Sequence, residues 1–395
     1  MRATRLPPVA LRGVSARLFS EASAKTGAAA ATTTKTDTKP AAASASATTT
    51  VLPKGAVGGG SLLGKVTPPP MTPPPNLGHI HEFKPTLTVI GVGGAGGNAV
   101  NNMIARGLKG VDFVVANTDA QHLATCLTDN RIQMGKATTQ GLGCGANPDA
   151  GKEAALESLP EIMDVLDGSH MVFITAGMGG GTGTGAAPVI AEACLDANML
   201  TVGVATQPFT FEGKQRARLA HEGLELMQHV TDSLIVVPNQ NLFHLIDEKT
   251  SLDNAFRLAD DVLLGGVRSV TDLMVLPGLI NLDFADVTSV MKSTGNAIMG
   301  SGQAEGEDRA IKAAVDALTN PLLGELTIKS AKGLLVNITG GSDITLFELD
   351  RAAQKITDEI DDEFCNIIIG GGVDPALEGQ IRVSIVATGI EEKLF

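Results

Sequence analysis

The chain lacks any apolar run approaching the ~20 residues a bilayer span requires, so no transmembrane helix is expected. Cysteine is scarce. Cys126, Cys144, Cys194 and Cys365 are the only four, and none stands in a CxxC pair. That spacing excludes a disulfide scaffold and a zinc module, and it reads as small core residues of a reducing compartment. Net positive charge is also missing, with 30 Lys and Arg against 43 Asp and Glu, a balance of −13. A duplex nucleic-acid binder needs a basic face to neutralise phosphates, so that class is excluded. No GxxxxGK[ST] occurs, which removes the P-loop NTPases. What is present is 395 residues, 43% of them apolar. That is room for two or three domains with a sizeable core, and it argues against a wholly disordered or fibrous chain.

Charge divides the chain unevenly. Residues 1–84 hold ten Lys and Arg against three acids, a balance of +7, which leaves −20 for 85–395. The first twenty residues carry Arg2, Arg5, Arg12 and Arg17 and no acid. Leu11, Val14 and Leu18 share one helical face with the neighbouring arginines off it. An Arg-rich, acid-free amphipathic start describes a mitochondrial transit peptide. Arg17-Leu18-Phe19-Ser20 resembles a matrix-protease cut site; an ordinary tail and a chloroplast transit peptide are the alternatives. Ala28 to Thr50 is almost all Ala, Ser and Thr, followed by a Gly58–Gly60 triplet and the proline triplets 68–70 and 73–75. Such a stretch buries too little apolar area to offset its backbone entropy and reads as linker. His79 and His81 form an HxH that no neighbouring Cys or acid pair supports as a metal site.

Folded material is expected from Pro85. β-Branched runs at Thr86–Ile90, Asp112–Ala116, Met171–Thr175, Leu200–Ala205 and Leu234–Val237 read as buried strands. Helical stretches fall between them at Ala99–Gly107, Asp149–Leu159, Ala186–Ala197 and Lys214–Val230. This alternation implies an α/β fold with a parallel, doubly wound sheet covered on both faces. A long helix is predicted from Ser251 to about Met274, with Leu263, Val267, Val270 and Met274 on one face. Beyond Pro277-Gly278 the order changes. Helices Asp308–Leu318 and Thr345–Thr357 alternate with strands Gly333–Thr339, Cys365–Ile369 and Gln380–Ala387. A second, smaller α+β domain is expected there.

Two glycine clusters carry the chemistry. Gly91-Val92-Gly93-Gly94-Ala95-Gly96-Gly97-Asn98 lies between a strand and a helix and satisfies GxGxxG. Glycines let the backbone approach a pyrophosphate, and the helix N-terminus offers free N–H groups and the positive end of its dipole. By itself this suits a dinucleotide enzyme as well as a triphosphate site. The second cluster, Gly179-Gly180-Gly181-Thr182-Gly183-Thr184-Gly185, again follows a strand and precedes a helix. Two cradles in one sheet point to a longer polyphosphate, with the hydroxyls of Thr182 and Thr184 as added donors. No lysine supplies charge at this loop, so Mg2+ is expected to compensate.

Gly179–Gly185, preceded by Thr175-Ala176-Gly177-Met178, closely resembles the signature loop of the tubulin/FtsZ superfamily. The likeness extends from about Thr86 to Gly389, and the leader suggests an organellar FtsZ. The resemblance implies a GTP site in which Gly93, Gly94, Ala95, Gly96, Gly97 and Asn98 form the first nucleotide loop. Asn117 and Asp119 would lie beside the nucleotide and its metal. Gly141–Asn147, with Gly143 and an unusual Cys144, would sit near the γ-phosphate. Gly181, Thr182, Gly183 and Thr184 would hold phosphates, Glu212 and Arg216 the ribose side. Asn239 and Asp260 would read guanine and Phe256 stack on the base; a carboxylate accepts from both N1–H and the exocyclic amine of guanine.

Asn281-Leu282-Asp283-Phe284-Ala285-Asp286 resembles the synergy loop of that family. Read from the residues alone, Asp283 and Asp286 start a helix whose dipole they stabilise. The resemblance makes them catalytic, entering the nucleotide site of the next subunit to orient a water and accept its proton. The implied protein is a GTPase, switched on by head-to-tail self-assembly into filaments for organelle division. The division of the chain is then a transit peptide over 1–27, a linker over 28–84, a GTP-binding domain over 85–250, a central helix over 251–276 and a C-terminal α+β domain over 277–395. An NAD-dependent dehydrogenase using the first GxGxxG is the rival, although no obvious catalytic His or Lys accompanies it. A filament that binds GTP without hydrolysing it is a third reading, against which the acid pair argues. The sequence ends six residues after Gly389 without the tail that recruits membrane adaptors in the family. Attachment through a paralogue, another surface or the linker is left open. At −20, the folded part should repel itself and assemble in a salt- and magnesium-sensitive way.

Overall fold

The computed structural model describes residues 85–246, 249–275, 278–280, 282–323, 328–360 and 365–390. The leader, the linker, His79 and His81, Asn281 and the last five residues lie outside them. The expected buried strands form as β1 (Leu87–Val92), β2 (Asp112–Asn117), β4 (Met171–Gly177), β5 (Leu200–Gln207) and β6 (Ser233–Pro238). A short β3 (Asn130–Gln133) extends the edge. All pair in parallel. β1 is buried at every residue and β4, β5 and β6 at all but the last, which is why they read as continuous apolar runs without alternation.

Between them lie α1 (Gly93–Ala105), the one-turn α2 (Ala120–Ala124), α3 (Pro148–Leu166), α4 (Thr182–Asp196) and α5 (Lys214–His229). Two of these correct the sequence reading. The glycine clusters were expected as loops ahead of helices starting at Ala99 and Ala186. Instead the helices begin inside the clusters, at Gly93 and Thr182. Glycine's low helix propensity of roughly 1 kcal/mol per residue is overridden because the strand ends deliver the chain directly into a helical turn.

The long helix is α6 (Leu252–Val275). Its Leu263, Val267 and Val270 are buried in one apolar cluster with Val204, Ile235 and Met299. Met274, the last residue of the expected stripe, packs on the cluster's margin. Beyond α6 come β7 (Gly278–Ile280), α7 (Phe284–Met291), β8 (Gly295–Glu305), α8 (Arg309–Leu318), β9 (Gly333–Gly340), α9 (Leu346–Thr357), β10 (Asn366–Val373) and β11 (Gln380–Thr388). The strand order is β3-β2-β1-β4-β5-β6-β8-β11-β9-β10-β7. β8 runs parallel to β6 and antiparallel to β11, so the two halves share a single sheet.

β8 is the strand that the sequence hid. Its run, GNAIMGSGQAE, is not among the expected strands, and glycines in it break the apolar run that marks the others. Those glycines answer to a close approach: a Cβ on Gly300 or Gly302 would lie 2.3 Å from the carbonyl oxygen of Ala317 or Ala313 in α8. The alanine face of α8, with Ala310, Ala313, Ala314 and Ala317, thereby joins Ile298, Val336, Ile338 and Ile385 in a second core. The cysteines divide. Cys126 and Cys194 are buried core residues as expected, whereas Cys144 and Cys365 are only half-buried; none of the four is joined in a disulfide.

Asp232 fastens β8 to the parallel sheet. Only 5% exposed, its carboxylate accepts from the backbone N–H of Thr201 at 3.0 Å and of Ser293 at 3.3 Å. Its carbonyl accepts from Thr294 and Gly295 at 2.8 and 3.1 Å. Removing the carboxylate leaves two N–H groups without their acceptor. Asp232→Ala is therefore expected to lower stability by about 2–4 kcal/mol. Urea denaturation of variant and parent checks this; a midpoint shift worth less than about 1 kcal/mol would remove Asp232 as the fastening point.

Candidate nucleotide-binding site

The carboxyl ends of β1, β4, β5 and β6 open on a cavity of about 440 Å³, the position where parallel sheets bind ligands. Its wall brings together Gly94, Ala95 and Asn98 from the first turn of α1, Gly181, Thr182 and Gly183 at the start of α4, and Glu212, Arg216, Asn239, Phe256 and Asp260. Two glycine clusters far apart in sequence thus face one space.

The glycines behind the wall make that convergence possible. Gly93 has φ +75°, a conformation open to glycine. A Cβ on it would lie 3.1 Å from the nitrogen of Gly183, so the two clusters touch through their backbones. Gly96 presses on the Thr175 carbonyl, where a Cβ would come within 2.5 Å. Gly93, Gly96 and Gly97 therefore shape the cradle without lining it. The first turns of α1 and α4 carry no acidic residue, so their unpaired N–H groups and positive dipole ends are not neutralised locally. Anion binding follows from this geometry.

Three expected ligand positions serve differently. Thr184 is 3% exposed, and its hydroxyl accepts from the Gly179 N–H at 2.9 Å. It braces the second cluster and does not face the cavity. Asn117 is 2% exposed and lies behind the wall, bonded to His122 at 3.2 Å. Gly143 is also set back; its N–H donates to the Thr118 carbonyl, while Gly145 of the same loop reaches the cavity. Thr182 lines the wall, with its hydroxyl 2.7 Å from that of Thr118. Cys144 Sγ lies 3.4 Å from the same Thr118 hydroxyl.

The opposite end of the cavity suits a planar base. Phe256 lies edge-on to Phe209, with centroids 5.6 Å apart, and 41% of it remains exposed. Asn239 is 6% exposed and its buried Oδ1 has no hydrogen-bond partner among the described residues; an orphaned acceptor on a cavity wall suits a donor from a ligand. Burial, reinforced by the neighbouring carboxylate of Asp261, pushes the Asp260 carboxyl up to about 7. Asp261 itself is held by Asn102 and Arg106 of α1, each at 2.9 Å. Between the two ends, Arg216 pairs with Glu212, which also accepts from the Phe209 N–H at 2.9 Å.

Asp283 and Asp286 are not part of this cavity. They form a reciprocal cap at the start of α7, with Asp286 N–H donating to Asp283 at 2.8 Å and Asp283 N–H to Asp286 at 3.3 Å. The helix-start reading thus describes their local geometry, and both side chains are exposed. Among the described residues no group of three or more His, Cys, Asp or Glu could hold a metal ion. Magnesium is held through waters, phosphate oxygens and one or two carboxylates; the carboxylates lining the cavity among the described residues are Glu212 and Asp260. His122 was not anticipated, nor were Met178, Thr206 and Pro208; all four line the cavity. Met178 and Pro208 directly follow β4 and β5, and Thr206 is the penultimate residue of β5, a positional signal. For His122 the sequence carried none.

Comparison with known proteins gives the site a family. Residues 86–247 match the Tubulin/FtsZ family GTPase domain, and residues 295–391 match the FtsZ family C-terminal domain. The cell division protein FtsZ of Caulobacter vibrioides is 62% identical over 310 residues, covering 78% of this chain and 61% of that protein. The chain thus spans about three fifths of that relative's length. FtsZ of Rickettsia conorii is 59% identical over 309 residues, covering 78% of this chain and 68% of its own length. Among solved structures, an empty FtsZ dimer from M. jannaschii superposes with a TM-score of 0.75 at 43% identity, covering 79% of this chain and 90% of its own.

The raised Asp260 carboxyl has a stability consequence. Its folded value lies above the unfolded one, so its ionisation opposes folding. The penalty grows between about pH 4 and about pH 7 and is complete above that. Asp260→Asn removes it. The ligand-free variant is expected to melt above the parent at about pH 8, with the gap shrinking toward about pH 4. Paired thermal melts test this; a gap independent of pH would show that ionisation is not the cause.

Proposed function

This chain belongs to the FtsZ family, and we propose that it is a GTPase whose active site is completed only between successive copies in a head-to-tail filament. The carrying observation is the separation of two half-sites. The cavity has cradles for a polyphosphate. Its carboxylates among the described residues are Glu212, engaged by Arg216 and the Phe209 N–H, and Asp260, beside Phe256. Neither is placed to activate water at a terminal phosphate. The exposed Asp283–Asp286 pair lies past the far end of α6, a helix of 24 residues and so about 36 Å long. A second copy stacked on the cavity would bring the pair to the phosphates, where a carboxylate can orient water and accept its proton. Unlike surfaces in contact propagate as a filament. The dimeric state of the M. jannaschii relative supports self-association.

Within the cavity, Asp260 accepts from N1–H and the exocyclic amine of guanine, and the orphaned Asn239 Oδ1 takes a further donor. Phe256 covers the base face. The helix N-termini of α1 and α4 receive the phosphates, and a bound magnesium ion offsets the charge that no lysine neutralises. The dehydrogenase reading loses its basis, since the first GxGxxG shares its cavity with a second cluster in a family described by its GTPase domain.

The cellular role proposed is a division filament of an organelle. Its support is the acid-free, arginine-bearing segment at residues 1–20, which favours mitochondrial import with the chloroplast as the alternative. Attachment to membrane would then use a paralogue or an adaptor.

Two outcomes test the shared site. The full-length chain should pellet with GTP and Mg2+ and stay soluble with NAD; the reverse preference would overturn the reading. Asp286→Ala should bind GTP normally while losing at least ~100-fold in turnover, the scale of a lost general base. Mixing it with Asp260→Ala, whose cavity is defective, should restore part of the activity, because some contacts then join two intact half-sites. No recovery in the mixture would place the acid pair outside a shared site.

A further inference from the structure

We propose that His122 is a positioning residue for the phosphate end of the cavity, aiming the side-chain amide of Asn98 at the ligand. The assignment rests on the nucleotide reading only for the identity of that ligand. The geometry begins with Asp119, whose carboxylate accepts from the N–H of Gln121 at 2.9 Å and of His122 at 3.2 Å. This cap sets the single turn of α2 and turns the His122 ring toward α1. The imidazole packs closely against the first glycine cluster: a Cβ on Gly97 would sit 2.7 Å from His122 Cε1. Any larger residue at 97 would push the ring away.

Both ring nitrogens are engaged, and the chain of bonds fixes which one carries the proton. Asn117 Oδ1 accepts from the Asp119 N–H at 3.2 Å. That sets the amide so that its Nδ2 faces the ring and donates to His122 Nδ1 at 3.2 Å. Nδ1 is thus an acceptor. The proton belongs on Nε2, which donates to Asn98 Oδ1 at 2.8 Å. With its oxygen held, Asn98 has its two Nδ2 hydrogens to offer, and a phosphate oxygen accepts such donors. Asn98 and His122 both line the cavity, whereas Asn117 is buried behind it. The buried asparagine therefore orients a histidine, and the histidine orients an exposed asparagine at the phosphate end. A neutral imidazole does this by accepting at one nitrogen and donating at the other. A glutamine can do both through its amide, and a leucine neither.

The test uses the full-length chain with three probes: GTP, inorganic tripolyphosphate and guanosine. His122→Leu should weaken GTP and tripolyphosphate roughly five- to tenfold, the scale of one lost hydrogen bond. Guanosine affinity should stay within about twofold of the parent, and His122→Gln should restore phosphate binding to the same margin. The loss should not add to that of Asn98→Ala in a double-mutant cycle, since both act through one amide. His122→Ala, which only removes atoms, replaces the leucine variant if that one misfolds. Equal weakening toward all three probes would reduce His122 to a structural role, and unchanged GTP and tripolyphosphate binding would overturn the assignment. A parent chain that binds tripolyphosphate but neither GTP nor guanosine would overturn the GTPase reading and leave His122 to be judged on tripolyphosphate alone.

Discussion

At the carboxyl ends of β1 and β4 the chain packs main chain directly on main chain, and the functional geometry depends on that contact. A Cβ at Gly96 would approach the Thr175 carbonyl to 2.5 Å, and one at Gly183 the Gly177 carbonyl to 2.4 Å. Behind them, Gly185 of α4 meets Pro148 at the start of α3 so closely that a Cβ would come within 1.9 Å of its carbonyl oxygen. No side chain fits at these crossings, because backbone atoms on both sides cannot move aside as a flexible side chain would. The result is two helix N-termini set side by side over one cavity. The first N–H groups of a helix have no partner within it, and neither first turn carries an acidic residue. A site for an extended anion is thus built mostly from backbone, which explains how it manages without lysine.

Electrostatic strain collects at the other end of the same cavity. Asp260 is kept in a poorly hydrated place beside Asp261, whose own charge is answered by Arg106 and Asn102 from α1. The pairing of Asp261 to α1 and the facing of Asp260 into the cavity fix α6 against the helix that carries the first glycine cluster. The two ends of the cavity therefore share one frame. An ionisation that opposes folding in the empty protein is the sort of local disadvantage that binding sites retain when a ligand will supply the missing partner. Asn239, with its buried oxygen unpaired, follows the same logic.

Much of this was legible in the residues. The β-branched runs at 86–90, 171–175 and 200–205 became strands within two residues of the expected ends, because a fully buried strand needs an unbroken apolar run. The glycine clusters marked the cavity correctly, although glycine's propensity hid the helices that start within them. Other features were illegible for physical reasons. β8 was not among the expected strands, and the nearness of α8 explains Gly300 and Gly302 in it. Thr184 looked like a ligand donor, yet it is buried off the cavity wall and its hydroxyl accepts from the Gly179 N–H. Asp283 and Asp286 cap a helix locally, and their spacing serves that role as well as it serves chemistry.

The sequence by itself determined the class of the molecule: a parallel α/β sheet, two glycine-lined turns after strands, a long amphipathic helix and a smaller α+β region. These follow from periodicity and from local backbone needs, which adjacent residues specify. The tertiary structure alone decided which residues face the cavity. The meeting of the two clusters through Gly93 and Gly183, the path from Asn117 through His122 to Asn98, and the fastening of β8 by Asp232 each join segments that no local pattern links. Hydrogen bonds and close contacts of that kind depend on distances set by the whole packed sheet, and spacing along the chain does not encode them.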